Sequence, residues 1–466
     1  MTLRKTFWIL TGIAVAITTV IGAHSFPGTS SSQATLSLGS RNSQPIASTA
    51  VQGGISFGSI YENQLENESE SARASVMQAV YNAGVRWVRV DIPDSTRNDA
   101  IVQSARAAGL NVDLIVQDWK FYPPTPDAIG LLAHQLAAQY GPQGIHTYEI
   151  LNEPNASGYL TASAYTAILK SAYTNIHAVD SAATVISAGL EPAPGDREPY
   201  NYLSGMYSAG VHGYLDGVGD HPYSYPDTPD TNDPLYNAWQ YMPMGWPTSS
   251  CANVGPSDCL YSIMSSHGDG DKRIWLTEFG APTGTDNNYR AYSQRFQAAS
   301  ITQAFVNANS AGYSGPVFNY QWQDDSEGDF GLIDSNGVAK SSLAAFTNAV
   351  NRNVPAPPTL SAGQSLQVNQ SITNVLSGWV LQMQNDGNLV LSNALDNAIW
   401  ASGTYGHPGA YALMQGDGNF VIYDVNQAPL WASNTYGNSG AFLVLQDDNN
   451  LVVDAAGGGI LWSTGT

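Results

Sequence analysis

Eight short apolar runs alternate with helical patterns between residues 51 and about 352, and this alternation constrains the fold more than any other feature. The runs lie at 54–58, 85–92, 111–117, 147–153, 184–190, 216–223, 273–280 and 316–323. Amphipathic stretches lie between them, and two of these, 71–84 and 126–141, end at a glycine, which is typical of helix ends. Strands that alternate with helices predict an all-parallel sheet. Eight such units close into a (β/α)8 TIM barrel, and a doubly wound open sheet is the alternative.

The sequence changes character after a proline-rich linker, NVPAPP, at residues 353–358. From 359 to 466 the helical pattern is lost, and short alternating strands rich in glycine and asparagine replace it. A motif and a tryptophan at a fixed offset recur three times, at Gln384, Gln415 and Gln446 and at Trp400, Trp431 and Trp462. Both series advance by 31 residues. An exact period over three copies predicts three equivalent units packed about a shared core.

The N-terminal segment has the pattern of a secretory signal. Arg4 and Lys5 precede an apolar run from Phe7 to about Ala23, and small residues follow. This pattern predicts a cleaved signal peptide over residues 1–25, followed by a flexible Ser-, Thr- and Gln-rich leader over 26–50. We therefore expect a secreted, extracellular protein without a membrane partner after cleavage. The alternative is an uncleaved anchor, because the run is nearly long enough to span a bilayer.

Composition limits the partners of the chain. Charged residues make up 12% of the sequence and the net charge is −21, so the surface repels nucleic acid and anionic membranes. The abundant Gly, Ser, Thr, Asn and Tyr suit an exported protein that handles neutral, hydroxyl-rich ligands. Cys251 and Cys259 are the two cysteines, and in an oxidising compartment they would form a disulfide; two free thiols are the alternative. Without clustered histidines they form no zinc framework, and we expect no metal or organic cofactor.

Two single acids close apolar runs of the predicted barrel. Glu153 closes the fourth run, in TYEILNEPN, and Glu278 closes the seventh, in WLTEFG. Side chains at the carboxyl ends of barrel strands point into the mouth, where the chemistry of such barrels takes place. Cleavage of a glycosidic bond needs one protonated and one ionised carboxyl, and a separation of ~5 Å would make the reaction retaining. The alternative is that each acid caps a helix or pairs with an arginine.

The same two motifs carry a family resemblance. LNEPN and WLTEFG, on the fourth and seventh predicted strands, resemble the clan A retaining glycoside hydrolases, most closely the cellulase-like family 5 and family 39. The resemblance covers residues 51 to about 350. It implies that Glu153 is the acid/base and Glu278 the nucleophile. It also implies that Asn152 hydrogen-bonds the 2-hydroxyl of the sugar.

Four further residues match clan A by position. The resemblance implies that Arg89, in RWVRVD, lies beneath the nucleophile and keeps it ionised, since a buried arginine lowers the pKa of an adjacent carboxyl. The alternative is a structural ion pair with Asp91 or another acid. His221 and Tyr223, in DHPYSY, would contact substrate and nucleophile, and Trp322, in NYQWQDD, would stack under the sugar. The alternatives are an ordinary core or surface position for His221 and buried packing for Trp322.

Each C-terminal repeat places Gln, Asp, Asn and Val at alternating positions, which share one face of a strand. Amides and a carboxylate there can bond vicinal hydroxyls while valine packs against the sugar ring. The pattern Gln-x-Asp-x-Asn-x-Val-x-Tyr resembles that of the monocot-type (bulb) mannose-binding lectins, whose fold is a β-prism. The complete copy is the middle one, with Gln415, Asp417, Asn419, Val421 and Tyr423. Ser392 and Asp454 replace the tyrosine in the other two, and plain hairpin turns at Asp-Gly-Asn are the alternative.

Together these features predict a secreted retaining endo-β-glycosidase barrel, residues 51–352, joined to a bulb-type lectin domain, residues 359–466. A polysaccharide substrate is favoured because tethering by a binding module raises the local concentration of a polymeric target. Mannose-type glycans are the expected ligands of the module. The alternatives are a non-catalytic carbohydrate-binding protein and a transglycosylase that remodels glycans. The sequence leaves the sugar and the linkage open.

Overall fold

The computed structural model describes residues 50–92, 98–117, 123–156, 160–193, 195–225, 229, 259–284 and 292–466. The predicted signal peptide and nearly all of the leader lie outside this part of the chain, so both stay predictions. Cys251 also lies outside it, and the pairing with Cys259 stays a prediction as well. Within the described residues, no helix is both long enough and apolar enough to cross a membrane.

Eight parallel strands close into a barrel, as the alternation of apolar runs and helical patterns predicts. They are β1 Gly53–Ser56, β2 Trp87–Ile92, β3 Asn111–Val116, β4 Thr147–Ile150, β5 Thr184–Ser187, β6 Gly217–Asp220, β7 Arg273–Phe279 and β8 Ser314–Tyr320. Each strand pairs with the next in the chain, and β1 pairs with β8. This closure excludes the open sheet that was the alternative. The carboxyl ends of all eight strands share one rim of the barrel.

Helices connect the strands. Those of the described residues are α1 Ser59–Glu66, α2 Glu70–Asn82, α3 Asp99–Ala107, α4 Pro126–Tyr140, α5 Ala162–His177, α6 Pro199–Ser208, α7 Leu260–Ser266, α8 Gln294–Ala311 and α9 Ser341–Val350. Short 3-10 turns span Gly141–Gln143 and Gly195–Arg197. The helices α2, α4 and α8 begin after Ser69, Thr125 and Ser293, whose hydroxyls accept a hydrogen bond from the N–H three residues on. Such caps satisfy one of the free donors at a helix N-terminus.

The two predicted glycine stops differ in detail. After α2 the chain turns at Gly84, which has a left-handed φ of 95°, as the sequence predicts. After α4, Gly141 keeps a right-handed φ of −54° and begins the 3-10 turn. Gly144, with a φ of 84°, ends that turn. The chain therefore reverses three residues later than predicted, because the helix tightens into a 3-10 turn before it stops.

The C-terminal domain consists of three four-stranded antiparallel sheets. Its strands are β9 Thr359–Leu360, β10 Ser365–Leu366, β11 Ser371–Thr373, β12 Val380–Met383, β13 Leu389–Ser392, β14 Ala398–Ala401, β15 Tyr411–Met414, β16 Phe420–Tyr423, β17 Pro429–Ala432, β18 Phe442–Leu445, β19 Leu451–Asp454 and β20 Ile460–Ser463. Each sheet joins the three strands of one repeat to a short strand from residues 359–373. This three-sided arrangement confirms the predicted β-rich lectin-type domain.

The period of 31 residues produces a common core. Trp400, Trp431 and Trp462 meet at ring-centroid distances of 5.3–5.7 Å and pack on buried aliphatic side chains from all three sheets. The turn before the second strand of each repeat needs a left-handed residue, which is Gly387 or Gly418 in the first two copies and Asn449 in the third. Asparagine tolerates this conformation better than other side chains, so the third repeat keeps the turn without glycine.

Candidate active site

The chain leaves β4 at Ile150, so Glu153 lies in the loop just after the strand and not at its last position. Leu151 and Glu153 both have left-handed φ values, of 66° and 46°. Their N–H groups donate to the carbonyls of Val116 and Gly189, each at 3.2 Å. Non-glycine residues with such φ values are uncommon and cluster at functional sites. The turn leaves the Glu153 carboxyl 28% exposed at the rim of the barrel.

The two asparagines beside Glu153 have different partners. The side chain of Asn155 is buried, donates to the carbonyls of Glu191 and Arg197 at 2.6 and 2.8 Å, and accepts from the N–H of Glu191 at 3.0 Å. It therefore fastens the loop after β4 to the loop after β5. The Oδ1 of Asn152 accepts from Nη2 of Arg89 at 2.7 Å. This bond orients the Asn152 amide so that its nitrogen is the group left for a sugar hydroxyl, the role that the resemblance implies.

Glu278 lies on β7, one residue before the strand ends. Its Oε1 accepts from Nη1 of Arg89 and lies 3.4 Å from Oγ of Ser56, and its Oε2 accepts from the hydroxyl of Tyr223 at 2.9 Å. Burial alone would raise the pKa of Glu278, but the charges of His221 and Arg89 and the bond from Tyr223 hold this pKa below its usual value. The site therefore keeps Glu278 ionised.

His221 is fully buried between the two acids. Its Nδ1 lies 2.9 Å from Oε1 of Glu153 and 3.7 Å from Oε2 of Glu278, and its Nε2 lies 3.1 Å from the hydroxyl of Thr277. A Cβ at Gly189 would come within 2.0 Å of this ring, so only glycine fits there. Burial alone would lower the pKa of His221, but the two carboxylates raise it. His221 is placed to bridge the acids, and the direct contact with substrate implied by the resemblance stays a prediction.

Arg89 lies under Glu278, where the resemblance places it. It is 2% exposed and also forms a two-pronged ion pair with Glu149, at 2.5 Å from Nε and 3.0 Å from Nη2. The alternative partner, Asp91, instead accepts a hydrogen bond from Gln117 at 2.9 Å. Arg89 therefore combines the two roles considered for it. One guanidinium forms a structural ion pair with Glu149 and also binds the candidate nucleophile Glu278.

Trp322 lies two residues after the end of β8, and its predicted stacking under the sugar stays a prediction. It is 4% exposed and packs within the hydrophobic core of the barrel, which is the alternative role considered for it. Tyr320, at the end of β8, is the half-buried aromatic residue of this segment. Its hydroxyl donates to Glu327, and burial followed by the charge of Glu278 raises its pKa. The sequence pattern missed this because both aromatics end the same run, and the strand stops two residues before Trp322.

Five aromatic side chains form a continuous aromatic wall beside Glu278: Tyr223, Tyr225, Tyr292, Tyr320 and Phe330. Successive ring centroids are 5.6–6.4 Å apart. Aromatic rings at such spacings pack edge to face or tilted and hold one another in place. Of the five, only Tyr223 was predicted, because Tyr225, Tyr292 and Phe330 lie outside any motif and the NYQWQDD motif points to Trp322 instead of Tyr320.

Two acids of the site were also missed. Glu149, in the middle of β4, is fully buried and is the second partner of Arg89. Its signal in the sequence is a charged residue inside an apolar run. Glu191 follows β5, and burial together with the charge of Glu153 raises its pKa to about 7, against opposing effects of His221 and Arg197. No motif marks Glu191; only the closed barrel brings it near Glu153.

The cluster of Glu153, His221 and Glu278 also has the spacing of a metal site, since one ligand atom from each lies within 4.8 Å of the others. Arg89 and Tyr223, however, already engage both oxygens of Glu278. Positive charge is therefore supplied by the protein itself. The arrangement suits proton transfer and nucleophilic attack between two carboxyls better than it suits the holding of a cation.

In the middle repeat of the C-terminal domain, Val421 and Tyr423 lie on β16, whereas Gln415, Asp417 and Asn419 lie on the turn between β15 and β16 and not on the strand that the alternation predicts. Nε2 of Gln415 donates to the hydroxyl of Tyr423 at 2.7 Å, and the ring of Tyr423 stacks on Tyr411 at 5.7 Å. Val421 is buried, with 3% exposure. The motif therefore builds a fixed polar edge, although its role in sugar binding stays a prediction.

The Asp-Gly-Asn segment is also a turn, as the alternative interpretation states. Oδ1 of Asp417 accepts from the N–H of Asn419 at 3.0 Å, and Oδ1 of Asn419 accepts from Ser433 and Thr435, each at 3.1 Å. The same bonds recur at Asn388 and Asn450. The asparagine oxygen is thus structural in all three copies, and the amide nitrogen is the part of Asn419 left for a ligand.

The fold and the site define a (β/α)8-barrel protein with two facing carboxyls at its mouth and a three-sided β-domain at its C-terminus. No protein-family model matches the chain. A search of curated proteins also gives no match. Comparison with solved structures therefore supplies the known proteins to which this chain is similar.

Both resemblances expected from the sequence are found among solved structures. A family 39 glycoside hydrolase from the gut symbiont Bacteroides cellulosilyticus WH2 is 18% identical, with 81% of this chain and 71% of that chain covered and a TM-score of 0.48. A monomeric monocot mannose-binding lectin from Gastrodia elata is 39% identical over 23% of this chain and 96% of its own, with a TM-score of 0.21. The mannose-specific agglutinin from snowdrop bulbs is 38% identical over 23% of this chain and 95% of its own, with a TM-score of 0.20.

Proposed function

We propose that this protein is a secreted retaining endo-β-glycosidase that cleaves a polysaccharide, with a C-terminal module that binds mannose-type glycans. The observation that carries the proposal is the pair of Glu153 and Glu278. One oxygen of each carboxyl lies within 4.8 Å of one oxygen of the other at the barrel mouth, and the two carboxyls have different environments. Retaining glycosidases hold their carboxyl groups ~5 Å apart, whereas inverting enzymes leave ~6.5–9.5 Å for a water molecule. The spacing supports the retaining mechanism.

In the first step, the ionised Oε2 or Oε1 of Glu278 attacks the anomeric carbon while Glu153 donates a proton to the departing glycosidic oxygen. The carbon–oxygen bond to the leaving sugar breaks, and a glycosyl ester forms on Glu278. His221 contacts Oε1 of Glu153 at 2.9 Å, so the pair can store the proton that this step needs. Arg89 and Tyr223 hold the attacking carboxylate in place and ionised.

In the second step, Glu153 acts as a base and takes a proton from a water molecule, which attacks the same carbon and releases Glu278 as a carboxylate. Two inversions restore the original configuration. The amide of Asn152, fixed by Arg89, is placed to donate to the 2-hydroxyl in both transition states. A bond that strengthens only as charge develops lowers the barrier without tightening substrate binding.

The presence of the C-terminal module supports the proposal that the substrate is a polymer. Its middle repeat keeps the complete motif with Gln415 and Tyr423 joined at 2.7 Å, and binding one part of a polymer raises the concentration of cleavable bonds at the barrel. The basic, apolar and small-residue order of the N-terminus supports export of the chain. With a net charge of −21, neutral glycans fit better than acidic polymers.

A glycan panel tests the proposal. We expect the full-length protein to release reducing ends from one or more of cellulose, mannan, β-1,3-glucan and a bacterial exopolysaccharide, and Glu278→Gln to release none. Glu70→Gln, at the exposed first turn of α2, is the matched control and should keep full activity. Glycans that bind without turnover would show a non-catalytic binding protein and overturn the proposal. Products longer than the substrate, without net hydrolysis, would show a transglycosylase instead.

A further inference from the structure

The C-terminal domain contacts the barrel through a turn of its first repeat, residues 393–396. Ala394, at 5% exposure, is buried with Ala281, Tyr292 and Phe296 of the barrel, and Leu395 packs on the same cluster. Ala281 follows β7, and Phe296 lies in the first turn of α8. The contact is therefore between the β-domain and the loop and helix that follow the strand of Glu278.

The three repeats provide an internal control for this contact. With a period of 31 residues, Ala394 corresponds to Val425 in the second repeat and to Ala456 in the third. Val425 is 64% exposed and Ala456 is also exposed, whereas Ala394 is buried. The strands that flank these turns are equivalent, so the burial of Ala394 comes from the barrel and not from the repeat itself.

Polar groups fix the same turn. Nη2 of Arg295 donates to the carbonyl of Asn393 at 2.9 Å and pairs with the carboxylate of Asp396. The hydroxyl of Ser293, which also caps α8, donates to the carbonyl of Ala394 at 3.3 Å. Two backbone carbonyls of the turn thus have donors on the barrel, an arrangement that requires this particular orientation of the two surfaces.

The approach is close over a second segment of the first repeat. A Cβ at Gly378 would lie 2.9 Å from the Cβ atoms of both Ala299, on α8, and Ala394. The linker residues 354–358 are half-buried and not exposed. The β-domain therefore does not behave as a module on a free tether in this structure.

A chain of ring contacts leads from this contact to the catalytic acid. The ring of Phe296 lies 4.8 Å from that of Tyr292, which lies 6.0 Å from Tyr225, which in turn lies 6.0 Å from Tyr223. The hydroxyl of Tyr223 donates to Glu278. Each ring restricts the next, because tilted and edge-to-face pairs have few equivalent positions.

We propose that the turn 393–396 of the first repeat is a docking element that fixes the β-domain on α8, and that this contact positions the aromatic wall beside Glu278. This turn directly follows Ser392, which takes the place of the tyrosine of the sugar motif in the first repeat. The docking of the β-domain on α8 is independent of the proposed glycosidase function. The positioning of the aromatic wall beside Glu278 rests on that function.

Two matched substitutions in the full-length chain test the proposal. Ala394→Glu places a charge in the buried contact, and Ala456→Glu makes the same change at the exposed equivalent position. Hydrogen–deuterium exchange is measured on amides 292–299, which report docking, and on amides 221–225, which report the aromatic wall. We expect Ala394→Glu to speed exchange about tenfold or more in both segments, because local opening exposes their hydrogen bonds. Ala456→Glu should leave both unchanged.

A second measurement separates positioning from stability. On a small aryl glycoside, which needs no polymer binding, we expect kcat of Ala394→Glu to fall roughly tenfold, since small displacements at a reacting centre are costly. Ala394→Ser should keep the kcat of the wild-type chain, because serine fits the space of alanine. Unchanged exchange at 292–299 would overturn the docking element. Faster exchange at 292–299 with an unchanged aromatic wall, or with an unchanged kcat, would overturn the positioning role. If the wild-type chain turns over no glycoside at all, the glycosidase function is refuted, and the docking result from hydrogen–deuterium exchange still holds.

Discussion

The hydroxyl of Tyr223 donates a hydrogen bond of 2.9 Å to Oε2 of Glu278, while Arg89 donates to the other oxygen of the same carboxylate. A tyrosine in this position stabilises the ionised form of Glu278 more than the protonated form, because a carboxylate oxygen is the stronger hydrogen-bond acceptor. Burial raises the pKa of Tyr223 itself well above its usual value, so the phenol remains a donor over the working pH range. The pair therefore links the aromatic wall to the charge of the candidate nucleophile.

Replacing Tyr223 with phenylalanine should move the acidic limb of the pH–rate profile. Activity requires ionised Glu278, so the rate rises as pH increases through the pKa of Glu278. That pKa is lowered partly by the Tyr223 bond, and its loss raises the pKa. A hydrogen bond to a charged group contributes ~1.5 kcal/mol, so we expect the limb of kcat/KM to shift by about one pH unit to higher pH. Tyr405→Phe, at a residue 70% exposed on the β-domain, is the control. A limb that stays in place would exclude Glu278 as its origin.

Glu153→Ala should separate substrates by their leaving groups. A general acid accelerates departure of a poor leaving group by about 10²–10⁴-fold. We therefore expect a loss of this size in kcat/KM on natural glycans and a far smaller loss on activated aryl glycosides, whose phenolates leave without a proton. Equal losses on both kinds of substrate would remove Glu153 from the acid role.

Glu191→Gln should move the alkaline limb. Ionised Glu191 lies near Glu153 and His221 and, through its negative charge, favours the proton on that pair. The pKa of Glu191 is about 7, so Glu191 becomes charged as the pH rises above neutral. Without this charge we expect the alkaline limb of kcat/KM to move to lower pH by a fraction of a unit. A shift of the alkaline limb to higher pH would contradict a position of the Glu191 charge beside Glu153 and His221.

Arg89→Met should destabilise the barrel strongly. Arg89 is 2% exposed, and its removal leaves the buried carboxylate of Glu149 without its cation and Glu278 with His221 alone. Breaking a buried ion pair by removing one partner costs ~3–5 kcal/mol. We expect a loss of this size in the free energy of unfolding in urea, with part of it recovered in the double variant Arg89→Met and Glu149→Gln. Unchanged stability of the single variant would show that water already compensates these charges.

The barrel could be predicted from the sequence because its signals are local. Eight apolar runs and their intervening helices follow from hydrophobic periodicity alone, and each predicted run contains most of an observed strand. Strand ends could not be predicted in the same way: the fourth run continues to Glu153 in the sequence, but the strand pairing with β3 and β5 ends at Ile150. The left-handed turn that follows depends on contacts with Val116 and Gly189, which are distant in sequence.

The candidate site could be predicted only in part, because many of its residues are brought together by contacts between distant parts of the sequence. Glu153, Glu278 and Arg89 follow motifs, whereas Glu149, Glu191 and most of the aromatic wall come together only when the barrel closes. The proline-rich segment 353–358 was interpreted as a boundary between separate domains. Composition could not show that Ala394 of the first repeat packs against Phe296, because the surface of α8 that receives it has no pattern of its own.

In the β-domain, the tyrosine of the motif should decide which repeats bind mannose. Gln415 contacts Tyr423 at 2.7 Å in the middle repeat, whereas Gln446 meets Asp454 at 3.4 Å in the third. We expect Tyr423→Asp to weaken binding of methyl α-mannoside at least about tenfold, which corresponds to the loss of one hydrogen bond. Asp454→Tyr should add a second site. Titration calorimetry measures both, and a wild-type stoichiometry of two or three would contradict this assignment.

The central claim is that Glu278 attacks the sugar, and covalent trapping tests it most directly. A panel of activated 2-deoxy-2-fluoro glycosides slows release of the glycosyl-enzyme more than its formation, so the intermediate accumulates and is measured by mass spectrometry of the intact chain and its peptides. We predict one added sugar per chain, on a peptide that contains Glu278, and none in Glu278→Gln. Glu153→Ala should still be labelled, because the activated leaving group needs no acid. A label on Glu153, or steady turnover of these glycosides without any label, would contradict the account.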